Sequence, residues 1–401
     1  MPGEYLYRTA ITRLRVSEEG AERLERLIDA WRVGCAMATD IAWPTIDDPQ
    51  ALQSAAYERV RESSGLKSQH AILVCRQVAK ALRSIEARRQ RGQQVSKPVF
   101  RSPTVTYGQR TMTVFEDGWV SLTTLGERAA CQLVLPNDDD GYQQQYLEND
   151  SWEPTESTLT RRDGVYYLHL GFRRPAPATE SPEHRTVLGV DLGIEHLAVT
   201  STARFFSGRA FAHEQRELLK RERELQQTGT RSAYRTLRCL KARYRRRARD
   251  RLHRVANDIL DEAVRHDCTT IAFEDLRGIR ENDLTVTAVN RWAFRTLVSF
   301  VEYRARGRGL TVEYVDPSCT SIACSRVGCD SVDSANRPER GQFRCRECGY
   351  EVHADYNAAK NVGLRCVRSG HTSSERTGVG QCALQSGTLG PDGFTGRSSI
   401  P

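Results

Sequence analysis

Apolar positions along the chain change period several times, and each change marks an element. Tyr5 to Val16 alternates apolar and polar residues, the pattern of a half-buried strand. From Glu18 to about Arg91 the period turns helical. Leu24, Leu27, Ile28, Trp31 and Cys35 fall on one face, and Ile72, Cys75, Val78, Ala79 and Leu82 on another. Pro44 and the Asp47-Asp48-Pro49 stretch break the first helix from the second. Lys97 to Pro136 predicts short strands, with Val114-Phe115 before a turn at Asp117-Gly118 and Val120 to Leu122 after it. Asn137 to Thr160 is acidic, polar and without period, and predicts a loop. Val165 to Phe172 predicts a strand, and the proline-rich stretch Arg173 to Pro182 a linker. The front third is thus expected to be a β-rich module with a helical insertion.

Beyond the linker the order of elements becomes informative. Thr186 to Val190 is a buried strand ending in Asp191, His196 to Thr202 a second, and Arg204 to Ser207 a short third. A long amphipathic helix follows, with Leu237, Leu240, Tyr244, Ala248, Leu252, Val255 and Ile259 spaced by three and four. Thr269 to Phe273 is a fourth strand, ending in Glu274. Trp292 to Arg304 is a helix, Leu310 to Val315 a fifth strand, and Asp355 to about Cys366 a last helix. Three antiparallel strands, then helix, strand, helix, strand and helix, is the order of an RNase H-like α/β fold. Residues past Val367 are rich in Gly, Ser and Thr, and disorder is expected there.

Asp191 and Glu274 each follow directly on an apolar strand. In open α/β sheets, sites lie outside the carboxyl ends of the strands, so both acids are expected in one crevice. Asp355, at the start of the last helix, supplies a third carboxylate. Magnesium, or manganese in its place, prefers such oxygen ligands. A pair of ions about 3.5–4 Å apart activates water for in-line attack on a phosphodiester and stabilises the departing 3′ oxygen. Taken singly, an acid after a strand also serves as a turn residue, and one at a helix start as an N-cap. Nearby Asp275 and Glu195 are weaker candidates, expected to face solvent.

Of twelve cysteines, Cys35, Cys75, Cys131, Cys239 and Cys268 lie within apolar or helical patterns and read as small core residues. Cys324 and Cys329 form one knuckle and Cys345 and Cys348 another, with 15 residues between them. Four thiolates so paired suit one tetrahedral Zn²⁺. Cys319 lies just upstream at a spacing that does not suit a knuckle. The ribbon falls between the fifth strand and Asp355 and is expected to prop the segment carrying that acid.

The net charge of +8 favours a polyanionic partner. Of 59 basic residues 53 are arginine, whose guanidinium suits phosphate, although a GC-rich genome produces the same bias. The cations concentrate at Lys241, Arg243, Arg245, Arg246, Arg247, Arg249, Arg251 and Arg254, with Asp250 the one acid among them. That helix face is expected to hold a nucleic-acid backbone without reading sequence. Tyr244 is expected to pack inward. No apolar run approaches the roughly 20 residues of a spanning helix, and Met1 to Arg15 lacks a hydrophobic block. A cytoplasmic protein, nucleoid-associated when bound to DNA, is therefore expected, with no membrane partner.

Several motifs together resemble the TnpB family, nucleases encoded by insertion sequences and related to type V CRISPR effectors. They are Gly189-Val190-Asp191-Leu192-Gly193-Ile194, Phe273-Glu274-Asp275-Leu276, Thr320-Ser321, and the run from Cys345 through Asp355 to Asn357 and Asn361. The likeness covers roughly residues 186 to 366, and the front third only in layout. It implies a wedge-like β-barrel (1–16 and 97–182) with a helical recognition insertion (17–96). A RuvC nuclease domain (183–318 and 349–366) would follow, holding a zinc ribbon (319–348), with a disordered tail (367–401). It implies an RNA-guided DNA endonuclease of a transposable element, with a guide RNA and double-stranded target DNA as partners. By motif match Asp191, Glu274 and Asp355 take the catalytic places, and Cys324, Cys329, Cys345 and Cys348 the zinc places. One departure stands out: the first knuckle holds four residues between its cysteines where the commoner family form has two. Rival readings are a catalytically silent RNA-guided DNA binder, a DNA transposase, and a plain zinc-ribbon RNA-binding protein.

Overall fold

The edge strands of the first sheet are consecutive in sequence, which forces that sheet to roll. A computed structural model of the chain describes residues 5–135, 141–177, 184–275, 288–370, 379–384, 387–390 and 393–396. Leu276 of the second motif and the end of the expected linker, 178–182, lie outside the described residues. The chain divides into two units, Met1–Ala176 and Pro177–Pro401. In the first, strand β1 (Tyr5–Val16) leads to helices α1 (Glu18–Ala42), α2 (Pro49–Ser64) and α3 (Ser68–Gln90). Four strands follow: β2 (Thr104–Tyr107), β3 (Met112–Val114), β4 (Trp119–Leu122) and β5 (Ala129–Val134). Helix α4 (Gln144–Leu147) and strands β6 (Glu153–Pro154), β7 (Ser157–Arg162) and β8 (Val165–Pro175) complete the unit.

The helices begin and end where local chemistry directs. Ser17 caps α1 by accepting from the Gly20 N–H, and the Asp48 carboxylate accepts from Gln50 and Ala51 at the start of α2. Gly65, at φ 68°, ends α2 in the left-handed region. The sheet runs β2-β7-β8-β1-β5-β4-β3. Laid flat, six strand spacings would part its edges by about 29 Å. Residues 108–111 joining β2 to β3 can span at most about 18 Å. The sheet therefore curls back on itself, with Leu14, Val105, Tyr107, Val120, Leu133 and Leu168 in one core with the inner faces of α1, α2 and α3. No ladder joins β2 to β3 among the described residues. The expected barrel is, in what is described, a rolled sheet with a hydrogen-bonded turn rather than a strand ladder at its seam. Part of the expected loop 137–160 is also structured, because Ser157 to Thr160 belongs to β7 and pairs with β2 and β8.

In the second unit, β9 (His184–Asp191), β10 (His196–Thr200) and β11 (Phe205–Ser207) are followed by α5 (Arg209–Thr228) and α6 (Arg231–Arg265). Then come β12 (Thr270–Glu274), α7 (Ala288–Ala305) and β13 (Thr311–Val315). A short hairpin, β14 (Gln342–Arg344) and β15 (Glu351–His353), precedes α8 (Ala354–Gly370). Three final strands are β16 (Val379–Leu384), β17 (Gly387–Gly390) and β18 (Gly393–Gly396). β9 pairs antiparallel with β10, which pairs antiparallel with β11, while β12 runs parallel to β9 and β13 parallel to β12. Three antiparallel strands and two parallel ones, as the sequence leads one to expect, make a mixed α/β sheet.

Two expectations are corrected. The basic helix is the second arm of a helical hairpin, because Gly229, at φ 65°, ends α5 and Thr230 caps α6. The tail expected to be disordered contributes β16, which runs parallel to β9 from Val379↔His184 to Cys382↔Val187. Buried Cys382, Ala383 and Leu384 explain why it joins the core. Their apolar run is only three residues long and set among glycines, too short to signal a strand from sequence. No helix among the described residues is long and apolar enough to cross a membrane.

His70 in the first unit is fully buried between Trp31 and Tyr107, ring centroids 5.9 and 5.3 Å away, and among the described residues neither ring nitrogen has a hydrogen-bond partner. Burial, helped by Lys67 and Arg128, holds its pKa at about 4 against an ordinary 6.5. As pH falls from 6.5 to 4, the unfolded chain binds a proton that the fold refuses, so stability falls over that window. The loss should approach about 3 kcal/mol at its lower end. Denaturant melts of the wild type and His70→Phe at pH 7 and pH 4.5 check this. The variant is expected to lose this part of the pH dependence.

Candidate active site and metal centre

Side-chain alternation on β9 and β12 separates the two faces of the second sheet. Leu188, Val190, Ile271 and Phe273 face α6 and α7, packing with Leu252, Ala256, Ile259, Leu297 and Val301. Val187 and Ala272 face the other way, with Val362 and Cys366 of α8. Asp191 and Glu274 share the parity of that second set. Each stands one residue past the paired Val190 and Phe273, so the two carboxylates leave adjacent parallel strands on the α8 side. Asp355 lies in the first turn of α8.

The helix reaches the sheet closely because glycine occupies the crossing. A Cβ on Gly189 would lie 2.1 Å from the Ala359 carbonyl oxygen and 2.5 Å from the Gly363 nitrogen. A Cβ on Gly363 would meet the Cys382 sulfur at 2.4 Å. Backbone therefore packs on backbone, and the start of α8 is carried toward the strand ends.

The electrostatics record the convergence. Burial pushes the Asp191 carboxyl well above its ordinary range, and the charges of Glu274 and Asp355 push it further, with Arg337 opposing. Burial also raises Glu274, against a hydrogen bond donated by the Thr320 hydroxyl and the charge of Arg365. Asp355 is held from two sides. His196 Nδ1 donates to its Oδ2 at 2.9 Å, and an Arg337 guanidinium nitrogen lies 3.9 Å from its Oδ1. His353 Nδ1 accepts from the Asp355 N–H at 3.2 Å, and its ring meets His196 and Phe205 edge to face. Asp191 feels the charge of both other carboxylates, and hard oxygen donors with raised pKa values suit a divalent cation, though the potential ligand atoms that come within 4.8 Å of one another at Asp355 are those of His196 and His353.

The cysteines form a second centre. One sulfur atom each from Cys324, Cys329, Cys345 and Cys348 fall within 4.8 Å of one another, with Cys324–Cys348 and Cys329–Cys345 both at 3.7 Å. A tetrahedral ion with metal–sulfur bonds of about 2.3 Å separates its ligands by about 3.8 Å. The cluster is thus compatible with a zinc ribbon, the longer first knuckle included. For Cys345, burial is outweighed by the N–H groups of Cys348 and Glu347, which lower the thiol to about 6, whereas burial raises Cys324. Cys319 is exposed and outside the cluster, and Cys239, expected in the core, is exposed on α6.

Comparison with known proteins agrees with this layout. A family described as probable transposase (OrfB_IS605) matches residues 165–280, and the Cas12f1-like TNB domain matches 294–362. Between them these stretches hold all three acids and all four clustered cysteines. The chain is 40% identical over 112 residues to a CRISPR-associated endodeoxyribonuclease Cas12f1 of Sulfoacidibacillus thermotolerans, covering 28% of this chain and 26% of that one. It is 34% identical over 125 residues to a TnpB-like protein of Methanocaldococcus jannaschii, covering 30% and 43%. Over these stretches the chain is similar to TnpB-like and Cas12f proteins. It spans between about a quarter and under half of the length of these curated relatives. Among solved folds, a Cas12f1–sgRNA–target DNA complex superposes with a TM-score of 0.58 at 13% identity, covering 86% of this chain and 83% of that one. CasPhi-2 bound to crRNA gives 0.56 at 12%, covering 90% and 98%.

In this chain the four-cysteine segment is tied to α8 by buried amides. Asn357 donates to the Ala323 carbonyl and accepts from the Ser325 N–H, while Asn361 donates to the Thr320 and Ala323 carbonyls. Asn336, fully buried, joins Ile322 to Arg346 across the ribbon. The ribbon in turn carries Arg337, and the segment leading into it carries Thr320, so both acid partners depend on its placement. Sequence reasoning missed His196, Arg337 and His353. His196 was legible only as a strand residue, and nothing in its spacing points at Asp355, 159 residues away. Glu195 is exposed and pairs with Arg340, as a solvent-facing acid should.

The cations of α6 divide by face. Lys241 pairs with Glu222 and Arg251 with Glu214, both acids from α5, and Arg254 pairs with Asp250. Arg243, Arg245, Arg246, Arg247 and Arg249 are exposed, and Arg249 lies over the Phe300 ring at 5.2 Å. Tyr244 packs inward against Phe211.

Gly189→Ala is expected to lower the stability of the second unit by about 2 kcal/mol or more, since the added methyl meets backbone that cannot rotate aside. Chemical melts measure that loss. Gly341→Ala, strained at φ 87° but 3.5 Å from the nearest side-chain atom, is the milder comparison.

Proposed function

We propose that this chain is an RNA-guided DNA endonuclease of a transposable element, hydrolysing phosphodiester bonds at a three-carboxylate site. The convergence of Asp191, Glu274 and Asp355 from two parallel strands and the close-packed α8 carries this reading. Asp191, Glu274 and Asp355 would hold Mg²⁺ or Mn²⁺, and Cys324, Cys329, Cys345 and Cys348 would hold Zn²⁺. When bound, the divalent ions supply charge neutralisation and water activation for phosphodiester hydrolysis. The chain's own residues do the positioning. His196 and Arg337 fix the Asp355 carboxylate, Thr320 fixes Glu274, and the four-cysteine ribbon holds Thr320 and Arg337 in place. Lys241, Arg243, Arg245, Arg246, Arg247, Arg249, Arg251 and Arg254 on α6 are assigned to nucleic-acid backbone, the outward-facing members foremost. A guide RNA and double-stranded target DNA are the proposed partners. The rolled sheet with its helical insertion takes the wedge and recognition roles.

The test is to express the chain with its native flanking DNA and sequence the RNA that copurifies. The complex is then incubated with Mg²⁺ and plasmids bearing the matching target beside randomised bases. Cleavage is expected from the wild type and none from Asp191→Asn, which should keep RNA and DNA binding. Undiminished cutting by that variant removes the carboxylate site, and copurification of no discrete RNA removes the guided reading. His196→Ala, which releases one side of Asp355, should slow cleavage by about 10- to 100-fold.

Metal analysis of the purified chain should find one zinc per molecule, and none above background in Cys345→Ser. Equal zinc in both would show that the cluster holds no zinc.

A further inference from the structure

A groove of about 520 Å³ runs along α7 beside α6, lined by Arg249, Arg291, Trp292, Arg295, Thr296 and Phe300 among others. Helical spacing builds it. Arg291 and Arg295 stand one turn apart on α7, and Trp292, Thr296 and Phe300 form the adjoining row. From α6, Arg249 extends its guanidinium over Phe300 at 5.2 Å, while His253 stacks flat on the same ring at 3.6 Å and 7°. Among the described residues no acid lines the groove. Arg249 and Arg295 are exposed, and Trp292 keeps part of its indole open to solvent. Burial first, then the charges of Arg304 and Arg249 against that of Asp250, hold His253 at a pKa of about 4.

We infer that this groove is a binding site for a single strand of nucleic acid, with a base on Trp292 and phosphates on Arg249, Arg291 and Arg295. The inference rests on the nucleic-acid reading above and assigns a site to Arg291, Trp292 and Arg295, which that reading leaves unused. The chemistry selects the occupant. Three guanidinium groups lining one groove call for a polyanion, and guanidinium recognises phosphate bidentately. An aromatic face beside them calls for an unstacked base, which a single strand offers and a duplex withholds. The volume also suits one or two nucleotides and excludes a helix. On α6, Arg245 and Arg246 lie one turn before Arg249, so the exposed cations of that helix lead directly into the groove.

The experiment uses the full chain carrying Asp191→Asn, so that no substrate is cut. Fluorescence anisotropy follows binding of labelled oligothymidylate and oligouridylate across a salt series, with a duplex of equal length as competitor. Arg291→Gln with Arg295→Gln is expected to weaken binding at least tenfold and lower the salt slope by about 1.4, roughly 0.7 for each cation. Trp292→Leu, which keeps an apolar side chain, should weaken binding about tenfold with the salt slope unchanged. Loss on the DNA oligomer alone makes the occupant a DNA strand; loss on the RNA alone makes it RNA. The inference falls if both variants bind with the parent's affinity and slope, if the parent binds neither oligomer, or if duplex competes as well as single strand. A chain that cuts no DNA yet shows this pattern keeps the groove and loses the nuclease proposal. The opposite result loses only the groove.

Discussion

Helix α8 lies directly on strand β9 because neither Gly189 nor Gly363 has a side chain at the crossing. With a Cβ at 189 only 2.1 Å from the Ala359 carbonyl, any larger residue would lift the helix from the sheet. Everything on that face of the second unit is referred to this contact. Asp191 is two residues beyond Gly189 on the same strand face, and Asp355 lies at the near end of the helix. The separation of the acids is therefore set by backbone packing, which is stiffer than any side-chain contact. Glu274 joins them because β12 is parallel to β9 and in register with it.

Gathering three carboxylates in a half-buried crevice costs free energy, and the surroundings offset part of it. Arg337, His196, Thr320 and Arg365 each direct a positive charge or a proton at one of the acids. Arg337 comes from the four-cysteine ribbon and Thr320 from the segment entering it. The buried amides of Asn357 and Asn361 hold that segment against α8. Such buried amides lose about 1–3 kcal/mol when left without partners, so this seam is both rigid and specific. The four-cysteine segment therefore supports the acids as well as forming a cluster compatible with a zinc ribbon.

On the opposite face of the sheet, α6 performs two tasks with one run of cations. Where it meets α5, Glu214 and Glu222 neutralise Arg251 and Lys241. On its outer side Arg243, Arg245, Arg246, Arg247 and Arg249 remain exposed, and Arg249 borders the aromatic row of α7. Counting charge along the sequence treats all eight cations alike. The hairpin partner separates the cations paired within the fold from those that remain exposed.

Much of the site was legible from local pattern. Apolar runs ending in Asp191 and Glu274 announce strand ends, and the knuckle spacing of Cys324, Cys329, Cys345 and Cys348 reflects how few residues are needed to bring paired thiols together. These are short-range properties, which hydrophobic period and turn geometry encode directly. The seam of the rolled sheet, the strand at Val379–Leu384 and the exposed position of Cys239 were not legible, because each depends on which distant surface a segment meets. The same holds for His196, Arg337 and the groove along α7. Their partners lie tens to more than a hundred residues away, and only close packing of strand, helix and ribbon brings those side chains together. The order of amino acids settles which residues can carry chemistry. Which of them meet is settled by the folded chain, because contact follows from packing and not from spacing along the sequence.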